Sequence, residues 1–168
     1  MIKLLVLDVD GCLTDGKIIY SSEGVESKNF NVKDGLAITS WIKMGGEVVI
    51  ITGRNSSIVE KRAQELGIKH LFQGVKDKAA LLKELLDSLE IKAYETAAVG
   101  DDFNDYEMLS MVGRSFTPND ATQDIQAFVD VVLKRRGGDG AVREMIDMLI
   151  EQNDQKEQFL SLWIKDKS

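Results

Sequence analysis

Ile2-Lys3-Leu4-Leu5-Val6-Leu7-Asp8-Val9-Asp10-Gly11 opens the chain. An apolar run of strand length ends in two acids and a glycine. Acids two residues apart on an extended chain point to the same side, so the carboxylates of Asp8 and Asp10 start out close together. They stand where a buried strand runs out into a loop, which is where open α/β sheets place their chemistry. One carboxylate can attack while its neighbour handles a proton, or both can help hold a cation. The pair predicts phosphoryl transfer.

Working outward, apolar runs alternate with helical patterns. Residues 2–7, 47–51, 70–72, 96–99, 114–116 and 131–133 read as strands rich in Val, Ile and Leu without polar alternation, as expected of strands covered on both faces. Helices are predicted over 36–44, from a Ser56 or Ser57 cap to Leu66 before Gly67, and over 78–89 after Asp77. Shorter ones are predicted from Asn104 or Asp105 to Met111 and over 121–128. Such alternation means a doubly wound parallel α/β sheet.

Residues 17–31 break the rhythm. Two extended segments around Ser21-Ser22-Glu23-Gly24 read as a β-hairpin beside Asp8. It is too short for a separate cap domain, so a neighbouring subunit is the expected cover. The organisation predicted is one domain over 1–150, with a tail over 151–168 that docks on its own domain or on a neighbour. The tail carries Phe159, Leu160, Leu162, Trp163 and Ile164.

The 168 residues are 43% apolar and 29% charged, an ordinary globular balance. A net charge of −7 argues against nucleic-acid and anionic-membrane partners. Cys12 is the only cysteine, so no internal disulfide forms; it reads as a small buried residue in a reducing compartment. No signal peptide or spanning segment is visible, and a cytoplasmic protein is expected.

Three further segments carry chemistry. Thr52-Gly53-Arg54 leaves the second strand before a helix, where a hydroxyl, an amide and a guanidinium form an anion site. Lys78 starts a helix whose dipole disfavours it, which an anionic partner would explain. Gly100-Asp101-Asp102-Phe103-Asn104-Asp105 places three acids at a strand end, where they repel unless a cation sits among them. Read together, Asp8 is the nucleophile and Asp10 the acid/base. Asp8, Asp10 through its carbonyl, and Asp101 hold Mg²⁺, with Asp102 and Asp105 behind. Thr52, Gly53 and Lys78 bind phosphate. Arg54 and Arg62 are candidates for a substrate carboxylate. Asp34 reads as a substrate contact or, in preference, a cap for the helix after it, and His70, the only histidine, as structural.

Asp8-Val9-Asp10-Gly11-Cys12-Leu13-Thr14-Asp15-Gly16, Thr52-Gly53-Arg54, Lys78 and Gly100–Asp105 resemble the four motifs of the haloacid dehalogenase superfamily. Within it, Phe30–Gly35, Leu71–Gly74 and Arg136–Glu144 resemble the 3-deoxy-D-manno-octulosonate 8-phosphate (KDO 8-phosphate) phosphatases, over about residues 1–149. The resemblance implies a capless core, a Mg²⁺-dependent phosphatase acting on a small sugar phosphate, a homotetramer covered by neighbouring hairpins and tails, and a role in lipopolysaccharide synthesis. Asp139 departs from the family's usual Arg. Related enzymes acting on nine-carbon ulosonate 9-phosphates also carry an acid there, and they are the alternative; Arg54 is of the octulosonate type. A signalling receiver, the other class with an acceptor Asp, carries its acidic pair early, its acceptor mid-chain and its Lys late, an order this chain lacks.

Overall fold

The structure, a computed structural model, describes residues 1–165; the last three residues of the predicted tail lie outside them. The elements run β1 (Leu4–Leu7), β2 (Ile19–Tyr20), β3 (Glu26–Ser27), α1 (Val32–Lys43), β4 (Glu47–Ile51), α2 (Ser57–Leu66), β5 (His70–Phe72), α3 (Lys78–Leu89), β6 (Thr96–Val99), α4 (Tyr106–Met111), β7 (Arg114–Thr117), α5 (Gln123–Phe128), β8 (Val131–Val132), α6 (Ala141–Gln152) and α7 (Lys156–Ser161). Six strands form one parallel sheet in the order β5-β4-β1-β6-β7-β8, and β2 pairs with β3 alone.

Strand geometry divides the core. Leu5 and Leu7 face a layer built from α1, α2 and α6. Leu4 and Val6, pointing the other way, meet Leu82, Leu85, Leu86, Met108, Leu109 and Ile125 of α3, α4 and α5. Both faces of β1 are therefore buried, which is why its sequence shows no alternation. Parallel pairing of β1 with β4 and β6 brings the C-terminal ends of these central strands to one edge.

The helix ends follow their capping residues. Ser56 accepts the Ile58 amide, Asp77 accepts that of Ala80, and Gly67 closes α2 at φ +73°. α1 begins four residues ahead of the predicted start, because the Asn31 side chain accepts the Lys33 amide and Val32 rides exposed on the first turn. The hairpin pairs over only two residues per strand. α6 extends past residue 150. After it α7 seats Phe159 in the core, and Trp163 Nε1 donates to Ser40 Oγ at 3.0 Å. No helix among the described residues is long and apolar enough to cross a membrane.

Candidate active site

The first loop is built around Asp8. Its backbone is extended (φ −77°, ψ 161°), and the chain then closes a wide turn in which the Thr14 amide donates to the Val9 carbonyl at 3.0 Å. Thr14 Oγ1 accepts the amides of Gly11 and Gly16 at 3.3 and 3.1 Å. Gly11 sits at φ +90°, and a Cβ there would overlap the Asp101 carboxylate. Only glycine satisfies both demands, so this residue permits the loops after β1 and β6 to touch.

Lys78 enters from the first turn of α3. Its Nζ lies 2.8 Å from Asp8 Oδ1 and 2.6 Å from Asp105 Oδ1, with all three side chains buried. Burial alone would lower an amine, but Asp8 and Asp105 outweigh it and hold Lys78 well above its usual value. Burial, then the Asp105 charge, pushes Asp8 up to about 8. Burial, then Asp105 and Asp102, pushes Asp101 to about 7. Three crowded acids share one ammonium, so the cluster lacks positive charge.

That imbalance, with hard oxygen donors, fits a divalent cation such as Mg²⁺. Oxygens of Asp8 and Asp101 and the Cys12 sulfur all lie within 4.8 Å of one another. Cys12 is buried, as its sequence context suggested, but it also borders the acid pair. Burial first, and the Asp8 charge next, push its thiol well above the ordinary range. It therefore stays protonated and a poor donor to a hard cation, so the carboxylates are the groups that could hold the ion.

The acids after β6 divide their work. Asp105 Oδ2 accepts the Asp101 amide at 2.9 Å while Oδ1 takes Lys78, so it ties the Asp101 backbone to α3. Asp102 is exposed and accepts the Phe103 amide at 2.7 Å, which commits that oxygen to a helical turn. Thr52 is buried at the end of β4, its amide bonded to the Phe72 carbonyl at 3.0 Å. At Gly53 the nearest atom to an added Cβ would be 3.7 Å away. Packing therefore does not demand glycine there.

The two arginines diverge. Arg54, 42% exposed, donates to Glu26 Oε1 at 3.2 Å and to the Tyr20 hydroxyl at 3.4 Å on the hairpin. These bonds, Tyr20's foremost, raise it above its usual value. Arg62 donates to the Asn31 carbonyl at 3.4 Å, pairs with Glu65 and lies over the Phe30 ring. Its guanidinium is thus engaged at the start of α1.

Three relationships escaped the sequence reading. Lys28 pairs with Asp10 at 2.6 Å. Asp34 does not cap the helix that carries it; its Oδ1 accepts the Arg143 amide at 2.8 Å and so caps α6, whose own N-cap is Gly140. Gly137 and Gly138 pack on the Asp8 loop, where a Cβ on either would strike the backbone of Gly11 or of Thr14 and Asp15. Asp139, beside them, lines a cavity of about 550 Å³ with Arg135 and Arg143.

Comparison with known proteins agrees with this geometry. Residues 70–146 match the model of the haloacid dehalogenase-like hydrolases. The chain is 40% identical to 3-deoxy-D-manno-octulosonate 8-phosphate phosphatase of Yersinia pestis over 93% of its length and 83% of the relative's. It is 44% identical to the Escherichia coli K12 protein of that name over 89% of this chain and 79% of that one. The crystal structure of the Moraxella catarrhalis enzyme in complex with magnesium, phosphate and KDO superposes with a TM-score of 0.93. It is 38% identical, covering 97% of this chain and 94% of that one. Acid loop, buried lysine, acidic cluster and these likenesses agree: the chain belongs to the 3-deoxy-D-manno-octulosonate 8-phosphate phosphatase family of haloacid dehalogenase-like hydrolases.

Proposed function

We propose that this chain is a Mg²⁺-dependent phosphatase that converts KDO 8-phosphate to KDO and phosphate. The observation that carries the reading is the buried Asp8–Lys78–Asp105 array at the edge where Asp101 also arrives. Asp8 attacks phosphorus, forming a carboxylate–phosphorus bond as the bond to the sugar oxygen breaks. Asp10 gives its proton to that oxygen. It then takes one from water, which attacks the aspartyl-phosphate and releases phosphate and free Asp8. Lys78 holds Asp8 in place, and with Thr52 and the Gly53 amide it balances charge on the phosphoryl oxygens. Asp8, Asp101 and the Asp10 carbonyl would hold Mg²⁺, which when bound would neutralise charge between the incoming phosphate and the acids. Arg54 and Arg62 are the groups for the sugar carboxylate; both already hold partners, and Arg54, its side chain 42% exposed against 21% for Arg62, presents the more open guanidinium.

The nine-carbon alternative is not favoured: the relatives at 40–44% identity carry the octulosonate name. The receiver alternative lacks support from chain order. The test is turnover of KDO 8-phosphate against a nine-carbon 9-phosphate, with and without chelator. Equal rates on the two sugars would remove the substrate assignment, and turnover indifferent to chelation would remove the metal.

The assembly belongs to the same reading. Ile18, Tyr20 and Val25 leave the hairpin's apolar side exposed, and Leu162, Trp163 and Ile164 do the same for the tail. With no cap domain over Asp8 among the described residues, a homotetramer in which hairpins and tails cover neighbouring sites accounts for both patches. Sedimentation at assay concentration tests it, and a monomer there would end it. A cytoplasmic location suits the lone buried thiol, and cell fractionation checks it.

A further inference from the structure

Lys28 follows β3 on a hairpin whose neighbouring side chains mostly face water. Its own side chain is 1% exposed, and its Nζ lies 2.6 Å from Asp10 Oδ1 and 3.4 Å from Glu26 Oε1. A lysine at a surface hairpin normally keeps its ammonium in solvent, and burying that charge is costly unless it is paired. The cost buys one contact with the site. Asp8 is held by Lys78, and the Asp101 backbone is fixed by the bond from its amide to Asp105. The hydrogen bond to the Asp10 carboxylate comes from Lys28.

We propose that Lys28 is a positioning residue: the hairpin delivers its ammonium to Asp10 Oδ1 and so orients the carboxyl group, leaving Oδ2 to carry the proton given to the leaving oxygen and then to take one from water. Glu26 anchors Lys28 from behind and is itself bound to Arg54, which also touches Tyr20. A chain of bonds thus runs from Tyr20 on β2 through Arg54, Glu26 and Lys28 to the acid/base group. The inference rests on the reading of Asp10 given above. Placement of a catalytic group to within a fraction of an ångström is worth large factors in rate, and a two-residue ladder alone holds a hairpin poorly. The hairpin then does more than cover the site: it completes it.

The test uses the full-length protein with Mg²⁺ and two substrates matched in shape. Phenyl phosphate needs a proton on its departing oxygen; p-nitrophenyl phosphate leaves without one. Wild-type turnover of both, abolished by Asp8→Asn, checks the underlying phosphatase reading; its absence would sink that reading rather than this one. Lys28→Met should lower kcat/KM for phenyl phosphate about 30-fold or more, within the range for general-acid catalysis, and for p-nitrophenyl phosphate less than about threefold. Lys28→Arg should recover most of the difference. Equal losses on the two substrates, or a loss confined to KM, would overturn the proposal. If Lys28→Met fails to fold by circular dichroism, Lys28→Gln is read by the same ratio.

Discussion

The Gly138 amide donates to the Cys12 carbonyl at 3.0 Å. Next to it, a Cβ added to Gly137 would collide with the Gly11 carbonyl. The loop before α6 therefore lies backbone against backbone on the loop that carries Asp8 and Asp10. Gly137→Ala must push one loop away from the other. Since displacement near 1 Å costs about 10²-fold in rate, kcat should fall by about that factor. Gly45→Ala is the control. It too has a positive φ (+92°), but a Cβ would meet open space. It should cost about 1 kcal/mol in denaturant melts with kcat unchanged. Similar kcat for both variants would refute the argument.

Lys78 is the only ammonium bonded to the buried Asp8 and Asp105 among the described residues. Lys78→Met leaves those carboxylates unbalanced and should destabilise the fold by about 3–5 kcal/mol, besides abolishing turnover. Asp8→Asn removes one of the crowded acids instead. That variant should be inactive yet melt no lower than wild type in chelator. Comparing the two melting curves separates charge balance from catalysis.

Mg²⁺ should stabilise the native state by mass action, about 2.7 kcal/mol at a hundredfold excess over Kd. For a chain of this size that is roughly 5–10 °C in Tm. Asp101→Asn should lose most of that rise. In chelator, however, it should melt slightly above wild type, since repulsion from Asp105 and Asp102 is relieved. An Asp101→Asn protein that keeps the full Mg²⁺ shift would place the cation elsewhere.

Asp34 gives a pH signature. Burial first, opposed by the Arg143 amide, raises its carboxyl to about 6, and its Oδ2 is buried without a partner. The native protein thus binds this proton more tightly than the unfolded chain does. Its contribution to stability is full below about pH 4 and is lost as pH rises through about 6. Wild type minus Asp34→Asn should show that falling slope in denaturant midpoints between pH 4 and 6.5. A difference that is flat, or that rises with pH, would contradict the assignment.

The placement of the acids at one sheet edge was readable along the chain. Asp8 and Asp10 follow an unbroken apolar strand, and Asp101 ends another, so strand periodicity and a parallel sheet brought them to one edge. Asp77, Ser56 and Gly67 announced helix ends through their own chemistry. The start of α1 was missed because the exposed Val32 hides the Asn31 cap from a pattern search.

What stayed invisible spans distance. Lys28 and Asp10 are 18 residues apart, and Asp34 and Arg143 are 109 apart. A lysine on a hairpin and an acid in a first helical turn both look like solvated surface until folding closes over them. Local chemistry dictated which strands, helices and acids would form, because periodicity and capping act within a few residues. Which charge meets which carboxylate, and where two backbones press together, was decided by packing, since burial and Coulomb energy depend on neighbours in space.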